Sequence, residues 1–193
     1  IYPYWQGHSM EDVIKQNYGE EINAIAKVVK INQKDHAQGH ICPDSALWLR
    51  LGPQGLMEKA KEKLKTCDES QREFYECTII VLEGACAFMK RYHDYIEEMI
   101  PSVEPALQKS LQTVADNCLN LSKRPPVTFH EAIQSLWFLF VILHMESNAS
   151  SFSPGRMDQY LYPYYQRDKA KGLIDDQYAL ELLECLWLSL IHI

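Results

Sequence analysis

Along most of the chain, apolar residues recur three and four positions apart, the spacing that lines one side of a helix. Ser9 and Asp12 form a capping-box pair and open a helix to about Asn17. From Glu21 to Val29, residues Ile22, Ile25, Ala26 and Val29 share one face. Ile31 to Ile41 loses the period, contains Gly39, and reads as loop or short strand. Asp44 caps a short helix ending at Gly52, and a second helix covers Leu56 to Leu64 with its lysines outward. Glu69 to Met99 is predicted as the longest helix, turning Phe74, Cys77, Thr78, Val81, Leu82, Ala85, Phe88, Met89 and Tyr92 inward. Pro101 and Pro105 break it and start the next, which runs to about Leu121. After Pro125-Pro126, the TFHE stretch from Thr128 to Glu131 is a second capping box. It opens Ala132 to Met145, which is apolar nearly all round and is therefore expected to be fully buried. Helices from Met157 to Ala170 and from Asp176 to Leu190 follow, parted by Lys171-Gly172. The pattern predicts a mainly α fold, with no repeats and no internal boundary across residues 1–193.

Composition narrows the function classes. Hydrophobic residues at 47% are enough for a sizeable core, and charged residues at 23% are ordinary for a soluble protein. A net charge of -7 with no polybasic run argues against nucleic acid, because phosphate binding needs a basic face. The longest apolar run, Leu136 to Leu143, reaches Met145 only through His144, well short of the ~20 residues of a membrane span. The N-terminus has no basic region leading into an apolar stretch, so it does not read as a signal peptide. The chain starts without Met and stops inside the helical pattern LWLSLIHI, so both ends are expected to be cut. None of the six cysteines forms a C-x-x-C pair, and they read as reduced thiols of a cytoplasmic protein. Cys77, Cys86, Cys118 and Cys185 fall in apolar helical surroundings and are expected in the core.

Most motif-like groupings dissolve on inspection. His36 and His40 have metal spacing for a helix, but Gly39 and the aperiodic surroundings argue against one, so no metal site is expected. His130-Glu131 begins an H-E-x-x-H pattern, but Gln134 stands at the second His position. Phosphate-binding glycine loops and a G-x-S-x-G elbow are absent. Cys86 and His93 share one helix, and the thiol faces apolar neighbours, so it reads as a core cysteine. Tyr160, Tyr162, Tyr164 and Tyr165 around Pro163 read as amphipathic packing. The stretch Glu146-Ser147-Asn148-Ala149-Ser150-Ser151 is different. A buried apolar helix that runs into polar residues must satisfy them somewhere, either in a structural cap or in a substrate pocket. Arg156 and Asp158 follow, placed to hydrogen-bond backbone in a fixed loop.

Several blocks in order resemble the glycyl radical enzymes of the pyruvate formate-lyase type. They are Tyr2-Pro-Tyr-Trp5 with Gly7; Gly39-His40-Ile41 with Pro43-Asp44; Phe74-Tyr75; Pro125 to Gln134; Glu146 to Gln159; and Leu180 to Trp187. The Pro-Pro-x-Thr-Phe-His-Glu-Ala and Ser-Pro-Gly-Arg-x-Asp-Gln blocks are the specific ones, and the resemblance covers essentially the whole chain. It implies a ten-stranded α/β barrel wrapped by helices. In that family one loop carries a thiyl-forming cysteine and another a radical-storing glycine. This chain has no Gly-Cys dipeptide and no Arg-Val-x-Gly loop, so it is expected to be an N-terminal to central portion, inactive alone.

Residue by residue, the resemblance puts His40 where pyruvate formate-lyase has a carboxylate-binding arginine. A neutral imidazole cannot make a bidentate carboxylate clamp, so pyruvate is disfavoured. Dehydratases of the family acting on diols or hydroxyproline are similar in having His there. Asn32 matches the amide that glycerol-dehydratase-type members use to bind hydroxyls, and Ser151 matches their serine after Asn-Gly-His. Here that stretch is Asn148-Ala149-Ser150, so Ser150 replaces the family's histidine, a departure that counts against glycerol itself. The expected site is thus catalytic His40, with Asn32, Ser150 and Ser151 binding a small-molecule substrate and Glu146, Asn148, Arg156 and Asp158 supporting them. The implied whole is an oxygen-sensitive cytoplasmic homodimer. Its glycyl radical lies outside this chain and is installed by a radical-SAM activase. The alternatives are a C–C lyase or decarboxylase of the same family and, from another class, a helical interaction module. That last reading requires polar residues around Leu136 to Met145, where apolar ones stand.

Overall fold

The computed structural model describes residues 16, 17, 19–21, 24, 41–147 and 152–191. The expected loop or strand over Ile31–Ile41 and the histidine pair fall largely outside the described residues, as does the Ser9–Asp12 cap. The chain divides into two compact units, one of residues 1–43 and 140–154, the other of residues 44–139 and 155–193. Among the described residues all regular structure is helical, in agreement with the mainly α reading.

The larger unit holds α1 (Ser45–Leu64), α2 (Glu69–Met99), a short 3-10 turn (Ile100–Ser102) and α3 (Pro105–Leu121). It also holds most of α4 (Phe129–Ser147), with α5 (Met157–Tyr160), α6 (Tyr162–Ala170) and α7 (Asp176–Ile191). The Asp44 carboxylate accepts from Leu47 N at 2.9 Å and caps α1. The two helices expected on either side of Gly52 form one element with a break at that glycine, whose φ is 62°. Only glycine adopts that conformation cheaply, and Pro53 then restarts the helix. Asp68 caps α2 through Gln71 N at 3.1 Å. The single helix expected from Met157 to Ala170 is instead two. The chain turns at buried Leu161, and Pro163 starts α6 where a missing N–H costs nothing.

α4 organises the core of the larger unit. Phe129, Ala132, Ile133, Leu136, Phe138 and Leu139 are buried. Trp48 of α1 donates its indole N–H to Ser135 O and Oγ, both at 3.0 Å. Gln134 donates to Val114 O at 3.1 Å and to Cys118 Sγ at 2.9 Å on α3. Phe88, Tyr92, Trp137 and Phe138 meet edge to face, with Phe88 and Phe138 centroids 6.0 Å apart and Tyr92 and Phe138 at 5.4 Å. Such pairs add stabilisation beyond simple burial.

Three burial expectations need correction. On α2, Leu82, Ala85 and Met89 are buried as expected, but Phe74, Cys77 and Val81 are exposed. Periodicity identifies residues sharing a face, and nothing among the described residues covers this part. α4 is not buried throughout, because Val141 to Met145 are only half-buried. Of the four cysteines expected in the core, Cys118 is buried and Cys86 half-buried, but Cys77 and Cys185 are exposed. All six described cysteines are free.

Candidate functional site

The N-terminus of α4 shows how the helix leading to the candidate site is fixed. The capping box forms as the sequence predicts, with Glu131 N donating to Thr128 Oγ1 at 3.1 Å. In return Glu131 accepts from Val127 N at 2.6 Å and from Thr128 N at 3.3 Å. Arg124 grips the same carboxylate with both terminal nitrogens, at 2.7 and 2.9 Å, and Asn120 adds a contact at 3.1 Å. Glu131 is only 3% exposed. Burial pushes its pKa up, but Arg124 and the two backbone N–H groups outweigh burial and hold it below the usual carboxylate range. A second carboxylate, Asp168 of α6, is 1% exposed and accepts from Phe129 N at 2.5 Å. Arg167 pairs with it at 3.1 Å and also donates to Val127 O. Sequence reasoning missed Asp168. It lies on another helix, 39 residues from the N–H it caps.

At the other end α4 enters the smaller unit. His144 Nδ1 donates to Phe140 O at 2.7 Å. The imidazole meets the Phe152 ring edge to face at 4.8 Å. One residue on, Ser153 N donates to Ile41 O at 2.8 Å. Residues of the smaller unit far apart in sequence are therefore joined by backbone. Ile41 directly follows His40, and Ser153 lies two residues after Ser151. His144 was also missed as a candidate, because the apolar run absorbed it. The only signal was a polar residue shortly before the polar stretch.

Asn32, His40, Asn148, Ser150 and Ser151 lie outside the described residues, as does the side chain of Glu146. Arg156 and Asp158 are described, in the larger unit. They hold each other in a two-pronged pair at 3.0 and 2.7 Å, both exposed. The Arg156 guanidinium keeps the Asp158 carboxyl below its ordinary range. The sequence reading gave these side chains a role in fixing loop backbone, and the contact between them is what the geometry adds.

The larger unit also contains a groove of about 430 Å³ between α2, α3, α4 and α7, lined by Tyr92, Ile96, Trp137, Leu182 and Leu186 among others. Cys118 opens onto it, its thiol pushed up to about 11 by burial. His130 sits at one side, its Nδ1 3.2 Å from Tyr178 Oη, and burial lowers its pKa. Burial favours the neutral ring, and the largely apolar lining offers little to a hydroxylated molecule. No helix among the described residues is long and apolar enough to cross a membrane.

The helical fold is similar to that of known enzymes. The chain belongs to the pyruvate formate lyase-like family, whose model matches residues 1–193. It is 33% identical to (2S)-3-sulfopropanediol dehydratase of Klebsiella oxytoca, over 97% of this chain and 24% of that protein. It is 30% identical to isethionate sulfite-lyase of Nitratidesulfovibrio vulgaris, over 98% of this chain and 25% of that protein. Among solved structures it is similar to the glycerol-bound, B12-independent glycerol dehydratase of Clostridium butyricum. That match has a TM-score of 0.81 at 31% identity, over 97% of this chain and 25% of that one. The chain thus spans about a quarter of the length of these relatives.

Proposed function

We infer that this chain is part of a glycyl radical lyase that eliminates a leaving group from a small hydroxylated substrate, most simply as a dehydratase. The observation that carries the reading is similarity over 97–98% of the chain to (2S)-3-sulfopropanediol dehydratase and to isethionate sulfite-lyase. The residue at position 40 supports it, being His where a carboxylate clamp would need Arg. The hydrogen bond from Ser153 to Ile41 supports a pocket that draws on both candidate segments.

In this reading the radical, stored on a glycine outside this chain, supplies hydrogen abstraction from the carbon beside the leaving group. The residues here do the polar work. Asn32 and Ser151 accept and donate hydrogen bonds to substrate hydroxyls and fix which hydrogen is presented. Ser150, smaller than the histidine of glycerol-type members, leaves room for a substituent larger than hydrogen. His40 is the hydrogen-bond partner of the departing oxygen, or its proton donor when the ring is protonated. Glu146 and Asn148 support the loop. The complete protein is a cytoplasmic homodimer whose radical is installed by a radical-SAM activase.

The test uses the complete polypeptide, activated without oxygen and offered small diols and hydroxyalkyl sulfonates. Elimination products and a glycyl radical signal are expected. His40→Ala is expected to lower turnover roughly 100-fold or more while the radical signal persists. Unchanged turnover in that variant removes the His40 role, and absence of elimination from every such substrate removes the dehydratase reading.

A further inference from the structure

α7 is apolar on two opposite sides. Ala179, Leu182 and Leu186 are buried within the larger unit. Leu180, Trp187 and Leu188 face away and are 47%, 61% and 59% exposed. Helical spacing puts Glu184 in the middle of this outer strip. With Met157 and Leu183 it lines a groove of about 510 Å³. An exposed apolar strip of this kind, interrupted by one carboxylate, marks an interaction surface.

We propose that the outer strip of α7 receives another segment of the same polypeptide, with an apolar centre and a Lys or Arg set against Glu184. Three observations select this occupant. First, the relatives that match this chain almost from end to end are about four times longer. A large amount of polypeptide is therefore tethered to this surface at high effective concentration. Second, covering the strip buries Glu184, which forms no ion pair among the described residues. A carboxylate buried without a partner is strongly destabilising, so the segment must bring a cation. Third, α7 carries Asp176, Glu181 and Glu184 but no Lys or Arg. A second copy docked through the same face would set carboxylate against carboxylate, which disfavours self-pairing. The inference rests on the family and not on the reaction proposed above.

The test places Leu180→Cys or Leu188→Cys in the complete polypeptide and follows labelling by N-ethylmaleimide, site by site, with mass spectrometry. Native protein is expected to label these positions roughly 100-fold slower than the same protein in urea. Labelling within about tenfold of the urea rate overturns the proposal. So does protection that vanishes when the assembly is diluted to single polypeptides, because a second copy then covers the strip. Oxidative footprinting of Trp187 in the unsubstituted protein gives the same reading if the cysteine variants fold poorly. Glu184→Lys is expected to speed Leu180→Cys labelling roughly tenfold more than Glu184→Gln does. Equal effects of the two overturn the cationic partner.

Discussion

The two ends of α4 are built on different principles. At Phe129, every polar group brought into the interior is answered. Thr128 and Glu131 cap each other, Arg124 and Asn120 complete the Glu131 carboxylate, and Asp168 takes the Phe129 N–H. At the far end, Val141 to Met145 are half-buried and His144 spends one nitrogen on Phe140 O. The first end is scaffold, made rigid by satisfied buried charge. The second leads, in sequence, to Asn148, Ser150 and Ser151, which the sequence offers as candidates. A buried polar group left unsatisfied is expensive, so the saturated end tolerates little change.

The contrast is easiest to break in the aromatic cluster on the saturated side. Phe138→Ala leaves a cavity among Phe88, Tyr92 and Trp137, and is expected to cost about 3–5 kcal/mol in denaturant unfolding. A loss below about 1 kcal/mol means that α4 is not the centre of the core. Next comes Glu131→Ala, which strands Arg124 and two backbone N–H groups. Because Arg124 is partly solvated, the expected loss is about 2–3 kcal/mol, below the full cost of a fully buried pair. His144→Ala at the other end should cost clearly less, and equal losses would erase the distinction between the ends.

The same carboxylate gives the contrast a pH signature. The folded pKa of Glu131 is lowered, so its stabilisation is complete above the unfolded value of about 4.3 and disappears as pH falls through the folded value. The melting temperature is expected to fall below about pH 4 more steeply in the wild type than in Glu131→Gln. Parallel curves would mean that the carboxylate is not held in its charged form by the fold.

Smaller still is Gly52→Ala. A Cβ there meets Gln54 Oε1 at 2.7 Å and the Pro125 backbone at 3.3 Å, with φ at +62°. About 1–2 kcal/mol is expected, read as a lowered denaturant midpoint. Arg156→Ala ends the series. Its pair with Asp158 is exposed, and no measurable shift in melting temperature is expected.

Much of this protein was decided within short stretches of sequence. The Thr128–Glu131 box, the Asp44 and Asp68 caps and the Gly52 break depend on residues no more than three apart. Local hydrogen bonding and backbone sterics therefore favour them before any distant residue arrives. The family blocks, too, are linear, and the candidate residues His40, Asn32 and Ser151 come from matching them. Only the tertiary structure decided which apolar faces are covered. Phe74 and Val81 repeat on α2 as regularly as Leu82 and Met89, yet stay exposed, because periodicity says what shares a face and not what lies opposite. Asp168 beneath Phe129 N, Trp48 on Ser135 and the hydrogen bond from Ser153 to Ile41 join residues 39, 87 and 112 positions apart. Such pairings exist only once the chain has closed its long loops, and that closure is a property of packing that no short stretch encodes.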